Sequence, residues 1–295
     1  MAHASSKTAC RSPFTEARIQ PPSLKYLFSI SEIEEDDRGR CKILCEDEWL
    51  IVTKLELRRS FVSRAFLTAE PTGDFAVVLL CYYNTEELLY YKNGDSSWTL
   101  FYNSGLPNRI VLKDIMPYET KLHVLTTGSA IHTWDLESGY PENEIYNGYA
   151  APTDTFQRPN CFIYRVYLVQ SDEEILLVAR NVPEEDNHDI TTQIFDVYRL
   201  DLEGQKWVEM ETLGDGRSLF LGQNQSVAVS TEDFSSCMGN CIYFTHDNAY
   251  FGLLTGSEMG IYSLKDRQIS PIFEFPSETL PVFGPVPRWL IPISC

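Results

Sequence analysis

The sequence predicts an all-β chain, a β-propeller of four-stranded antiparallel blades, about five of them and six if a diverged N-terminal segment supplies one. Three observations predict it. Short apolar segments, about twenty in all, are separated by turn-forming residues along most of the chain. A four-strand unit of roughly 45–50 residues recurs about a hundred residues later. In both copies a tryptophan, Trp98 and Trp207, follows the outer turn. No segment keeps apolar residues at i, i+3, i+4 and i+7 for three turns, so no helix is expected. A two-sheet sandwich fits less well, because the repeat is fourfold rather than Greek-key-like.

Residues 1–23 read as a disordered N-terminal tail closed by Pro21-Pro22, and residues 24–295 as the propeller domain. Leu24 to Ile30 reads as a short strand. The acidic run Glu32, Glu34, Glu35, Asp36 and Asp37 reads as a solvated loop. Cys41 to Glu56 reads as a hairpin turning near Glu46-Asp47-Glu48.

From Phe66 the strand signal is regular. Phe66 to Ala69 is a strand, and Pro71-Thr72-Gly73-Asp74 is a turn by composition. Phe75 to Tyr83 is nearly continuously apolar, as a strand covered on both faces would be. Leu88 to Tyr91 leads into Asn93-Gly94, a hairpin signal, and Trp98 to Tyr102 returns. The same order recurs in Tyr164 to Val169, the turn Ser171 to Glu174, Ile175 to Ala179, Phe195 to Asp201, the turn at Glu203-Gly204, and Lys206 to Thr212.

Between the copies, Leu122 to Thr126 and Ile131 to Leu136 flank Gly128-Ser129, a pair suited to a type II′ hairpin. After Leu213 come Ser218 to Leu221, Ser226 to Ser230, Cys241 to Thr245, Gly260 to Leu264 and Ile269 to Phe273. Arg288 to Ile293 is expected to return to the first blade and close the ring.

Composition narrows the function classes. A net charge of −18 repels phosphate backbones and anionic lipid, so neither nucleic-acid nor membrane-surface binding is expected. The acidity reads as a solvated surface, with a docking face for a basic partner as the sharper reading. No run of about 18 apolar residues spans a membrane. The eight cysteines, with no secretory segment ahead of them, read as thiols.

No chemistry assembles from the motifs. Cys41-x3-Cys45 and Cys237-x3-Cys241 lack zinc spacing and a matching histidine pair, so no metal is expected. Leu213-Gly214-Asp215-Gly216-Arg217-Ser218 lacks the phosphate-loop spacing, and its glycines read as turn residues. His132 and Asp135 fall on opposite faces of one strand, which argues against a dyad. His246-Asp247 reads as a plain turn, and Trp134-Asp135 stands alone without the other marks of a WD repeat. No catalytic, cofactor-binding or metal residue is assigned, and no cofactor is expected.

One stretch resembles a known family. Leu213-Gly214-Asp215, Leu219-Phe220-Leu221-Gly222, Ser226 to Ser230 and Gly239-Asn240-Cys241-Ile242-Tyr243-Phe244-Thr245 resemble the plant KIB-type β-propeller domain. That domain is typically found behind an F-box. The resemblance continues through Tyr167 to Val169, Leu177 to Arg180, Val197 to Asp201, Gly260 to Leu264 and Trp289, and takes in Phe66 to Trp98. It covers roughly residues 60–293.

The resemblance implies a protein-interaction module like the substrate-binding domain of SCF-type ubiquitin ligase receptors. In such receptors the F-box binds a Skp1-like adaptor and the propeller binds the target protein. Residues 1–60 show neither helical periodicity nor the Leu-Pro expected of an F-box, which puts adaptor binding in doubt. The family's usual early strand block is also missing, so the first blade reads as truncated or diverged. Two other readings stand beside this one: a carbohydrate-active propeller enzyme, and a degenerate family copy without a retained partner. A ubiquitin role implies cytoplasm or nucleus. The Ser-rich, acid-poor start keeps mitochondrion or plastid open.

Overall fold

The computed structural model describes residues 10–11, 18–19, 22, 32–35, 40–45, 48–53, 62–69, 75–83, 85–103, 112–118, 121–126, 130–136, 159–184, 192–204, 206–222, 226–245 and 259–272. Every regular element among them is a strand. The strand read at Leu24 to Ile30, the Pro71 to Asp74 turn, Gly128-Ser129, His246-Asp247 and the closing Arg288 to Ile293 strand lie outside the described residues. The chain divides into two compact units, residues 1–109 with 290–295, and residues 110–289.

In the first unit, β1 (Cys10–Arg11) and β2 (Arg18–Ile19) form a short antiparallel pair within the stretch read as a tail. Next, β3 (Glu32–Glu35), β4 (Arg40–Cys45) and β5 (Glu48–Thr53) form a three-stranded antiparallel sheet. The expected β4–β5 hairpin is there. The acidic run, expected as a loop, instead begins as a strand, with Ile33 opposite Ile43. A ladder is made by backbone groups, so charged side chains do not prevent pairing at a sheet edge. Cys41 and Cys45 lie on this one strand, where four residues of extended chain span about 13 Å.

The first four-stranded sheet follows as a meander of β6 (Val62–Ala69), β7 (Phe75–Tyr83), β8 (Thr85–Lys92) and β9 (Thr99–Asn103). Val77, Val78, Leu79 and Leu80 are all buried, which is why β7 reads as an unbroken apolar run. At Asn93-Gly94 the chain makes a turn in which only Gly94 has positive φ, +98°. The Asp95 N–H donates to the Lys92 carbonyl at 2.9 Å. That is the pattern of a type II turn rather than a two-residue type I′ hairpin.

The second unit starts with the three-stranded sheet of β10 (Leu112–Tyr118), β11 (Lys121–Thr126) and β12 (Ile131–Asp135). The second four-stranded meander is β13 (Cys161–Ser171), β14 (Glu174–Pro183), β15 (Ile194–Asp201) and β16 (Lys206–Met210). Last come β17 (Arg217–Leu221), β18 (Val227–Ser230), β19 (Cys241–Phe244), β20 (Gly260–Ser263) and β21 (Gln268–Pro271). They make a five-stranded sheet in the order β18-β17-β19-β20-β21. Its β17–β19 pairing is parallel, whereas the other strand pairs among the described residues are antiparallel.

The internal repeat extends to a shared irregularity. The first strand of each of three sheets shifts register near its start, between Val62 and Arg64, Leu112 and Asp114, and Ile163 and Arg165. A bulge inserts one residue and bends the strand. In each case a charged residue resumes the ladder. Asp114 is buried and its Oδ2 accepts the Leu168 N–H of the neighbouring sheet at 2.8 Å. Strand β10 escaped the sequence reading for this reason: a buried carboxylate breaks its apolar pattern.

Side-chain alternation packs β13–β15 on both faces. Val166, Leu168, Leu177, Ala179, Tyr198 and Leu200 point one way, where they join Met116, Leu125 and Ile131 of the three-stranded sheet. Tyr167, Val169, Leu176, Val178, Phe195 and Val197 point the other way, onto Leu219, Leu221, Ile242, Phe244 and Tyr262 of the five-stranded sheet. Three sheets therefore stack face to face within this unit, as propeller blades do.

His123, on β11, is buried, and its Nδ1 lies 2.9 Å from the Thr133 hydroxyl. Burial first, then the charge of Lys121, holds its pKa down at about 4. In the unfolded chain it titrates near its ordinary value of about 6.5. Between those values only the unfolded state binds the proton, so stability falls as pH drops from about 6.5 to about 4. The expected loss is about 3 kcal/mol. Urea melts at pH 7 and pH 4.5 check this: His123→Gln will lose markedly less stability over that interval than the wild type.

Candidate interaction surface

Register gathers five connections at one end of the four- and five-stranded sheets of the second unit. Ser171 pairs with Glu174 and Asp201 with Lys206, so the β13–β14 and β15–β16 turns share an end. In the next sheet Arg217 pairs with Ser230, Ser218 with Cys241, and Ser263 with Gln268. The start of β17, the 231–240 loop and the β20–β21 turn therefore also share an end.

Arg217 ties the two ends together. Its Nη1 donates to the Ser171 hydroxyl at 3.1 Å and to Glu174 Oε2 at 2.8 Å, and its Nε donates to the Leu213 carbonyl at 2.9 Å. Glu174 also pairs with Arg199 at 3.5 Å. The clasp crosses from one blade to the next, so both sets of turns move together. Arg217→Ala removes all three bonds and is expected to destabilise the chain by about 2 kcal/mol. A thermal melt in low and high salt checks it, with the deficit smaller at high salt because part of the clasp is ionic.

The 231–240 loop is held on both sides. Leaving β18, it crosses the start of β17 to reach β19, as the parallel pairing requires. The Thr231 N–H donates to the Gly216 carbonyl at 2.9 Å, and its hydroxyl donates to the Asp215 carbonyl at 3.1 Å. Asn240 sits in the left-handed region, φ +56°, which Asn tolerates better than most residues. Its Oδ1 accepts from the Leu213 N–H at 2.8 Å and the Thr212 hydroxyl at 3.0 Å. Its backbone N–H donates to the Arg217 carbonyl at 2.8 Å, and its carbonyl accepts from the Leu264 N–H at 3.1 Å. One residue thus joins three connections.

Gly239 presses against the backbone of Asp215, and a Cβ there would overlap the Asp215 carbonyl. The Gly-Asn-Cys-Ile-Tyr-Phe block is therefore a docking point for the chain on itself. Of the two glycines in the Gly-Asp-Gly turn, Gly214 has φ +79° and needs to be glycine, whereas Gly216 has neither positive φ nor a close neighbour.

Met238 projects from this loop. Its N–H donates to the Tyr243 hydroxyl at 2.8 Å, and its carbonyl accepts from the Ser218 hydroxyl. Tyr243 stacks on Phe220 at 4.6 Å between ring centroids. Burial raises the Tyr243 pKa, partly offset by the Met238 N–H, so the phenol stays protonated and neutral. Met238 is 51% exposed, and Leu202, on the β15–β16 turn at the same end, is 61% exposed.

The reactive groups are quiet. Burial raises Cys237, and burial with the charge of Asp266 raises Cys241, so both remain thiols. Cys81 is pushed well above the usual thiol range by burial and then by Glu87. Among the described residues no three His, Cys, Asp or Glu side chains gather as a metal set. His132 is on β12, with Asp135 three residues along at the far end of the strand.

Comparison with known proteins agrees with this architecture. The KIB1-4 beta-propeller family profile matches residues 1–263. F-box only protein 7 of Arabidopsis thaliana is 22% identical over 196 residues, covering 63% of this chain and 47% of that protein. F-box protein KIB2 of Arabidopsis thaliana is 27% identical over 223 residues, 70% of this chain and 45% of the relative. An F-box/kelch-repeat protein of the same plant is 28% identical over 213 residues, 68% of this chain and 51% of the relative. The chain spans about half the length of these curated relatives.

Proposed function

This chain belongs to the KIB1-4 β-propeller family, and from that premise we propose that it is a non-catalytic protein-interaction propeller, the target-binding part of an SCF-type ubiquitin-ligase pathway. The observation that carries the reading is the family match over most of the chain, joined to relatives whose names are those of F-box proteins. Two further observations support it. The turns at one end of two stacked blades are braced by side-chain and backbone bonds, which gives a rigid surface for recognition. Burial raises the Cys81 and Cys241 thiols and lowers His123, each away from neutrality, unlike a poised nucleophile or base. Such a module acts in the cytoplasm or nucleus, where ubiquitin ligases meet their targets.

Affinity capture of the tagged chain from plant extract, read by mass spectrometry, tests the proposal. Recovery of a stable protein partner together with ubiquitin-ligase components is expected. Recovery of neither would count decisively against it. A C-terminal fluorescent fusion reports the compartment.

A further inference from the structure

We propose that the end of the molecule carrying Leu202 and Met238 docks a basic, apolar-studded segment of a partner protein. This rests on the protein-interaction reading above and deepens it to a surface and a ligand class. Leu202 and Met238 are among the large apolar residues left exposed in the described structure, and both sit at this one end. Leu202 occupies the tip of a turn closed by the Gly204 N–H on Asp201 Oδ1 at 2.9 Å. Met238 occupies a loop fixed through its own N–H and carbonyl. Both apolar groups are therefore presented in set positions, and little conformational entropy is lost when a partner covers them.

The two positions belong to one surface. Arg199, three residues before Leu202, and Arg217, next to Ser218, share Glu174. Ser218 in turn holds the Met238 carbonyl. From Arg199, on the strand that leads into the Leu202 turn, the links run through Glu174 to Arg217, and from its neighbour Ser218 to Met238, across the end of two adjacent blades.

The charge around these groups selects the occupant. Exposed Glu203 neighbours Leu202, and exposed Glu232 and Asp233 lie on the Met238 loop. Asp172, Glu173 and Asp215 are exposed on the turns between them. Among the exposed bases at this end, Arg199 is tied to Glu174, Lys206 sits on the Leu202 turn, and Lys265 and Arg267 sit on the β20–β21 turn. The zone between Leu202 and Met238 is acidic. An acidic partner would meet like charge there, whereas a Lys- or Arg-bearing segment is steered in and its apolar residues cover Leu202 and Met238.

Fluorescence anisotropy on the full chain tests this with three labelled twelve-residue peptides, alternating Lys/Leu, Lys/Ser and Glu/Leu. The Lys/Leu peptide is expected to bind at least tenfold more tightly than either of the others. Leu202→Ala with Met238→Ala, and separately Glu232→Lys with Asp233→Lys, should each weaken it tenfold or more. Phe162→Ala, an exposed apolar change on β13, should leave it unchanged. Thermal melts confirm that each variant is folded. Equal binding of the Lys/Leu and Lys/Ser peptides, equal binding by wild type and the Leu202/Met238 variant, or no binding of the Lys/Leu peptide overturns the proposal. If extract capture fails while the peptide result holds, the ubiquitin-pathway reading falls and this surface stands. If capture succeeds and the Leu202/Met238 variant captures the same partner equally, this surface falls and that reading stands.

Discussion

Replacing Gly239 with alanine will destabilise the chain by about 3 kcal/mol and lower its melting temperature by about 9 °C. The cause is backbone against backbone. The new methyl group would overlap the Asp215 carbonyl oxygen and lie 2.9 Å from the Asp215 Cα. No side-chain rotation relieves that. Either the 231–240 loop lifts from the start of β17 or the Gly-Asp-Gly turn shifts. Both movements pull on the Asn240 bonds to Leu213 and Thr212, so the loop and the surface it presents loosen together. Gly216→Ala is the matched control: a Cβ there meets nothing within 4 Å and φ is not positive. Its effect is expected to stay within about 0.5 kcal/mol. Differential scanning calorimetry of the two variants checks the contrast. A melting temperature for Gly239→Ala equal to that of the wild type would contradict the close contact.

Phe244→Ala is expected to cost about 4 kcal/mol, the largest effect of any substitution considered. Phe244 is fully buried at the far end of β19. Its ring centroid lies 5.1 Å from that of Phe195 on the neighbouring blade, and the guanidinium of buried Arg180 sits 5.1 Å from it. Gly260 closes against the ring and has no side chain of its own to fill the gap. Truncation removes the transfer energy of the ring, opens a cavity between two blades, and takes from Arg180 one of the aromatic faces it rests on. The Arg180 bonds to the Thr192 hydroxyl at 2.8 Å and the Thr245 carbonyl at 3.2 Å remain. A lower urea midpoint with an unchanged slope is the expected result.

The sequence reveals strands better than it reveals their joints. Phe75 to Tyr83 was legible because a strand buried on both faces is apolar at every position. Ser171 to Glu174 and Glu203-Gly204 were legible because turns select their residues locally. Strand β10 was not, since Asp114 answers to a Leu168 N–H that lies 54 residues away. The acidic run at Glu32 hid a strand, because periodicity reports side chains and the ladder there is made by backbone. The parallel β17–β19 pair was invisible for a similar reason: both strands read as ordinary, and nothing local marks a neighbour as parallel.

The surface was the least legible part. Gly239-Asn240 identified the family from sequence, but its physical role depends on Asp215, Leu213 and Arg217. The Arg217–Glu174 bond spans 43 residues. Leu202 and Met238 each look unremarkable in the chain and become a surface only when register brings their turns to one end. The −18 net charge was legible from composition, whereas the acidic zone around those two side chains required the fold.

The central claim is that this propeller binds another protein directly. Titration calorimetry of the purified chain with the purified protein recovered from plant extract tests it most directly. The account predicts saturable one-to-one binding at micromolar affinity or better, lost in Gly239→Ala at temperatures above that variant's melting point. Absence of saturable binding by the folded wild-type chain would contradict it.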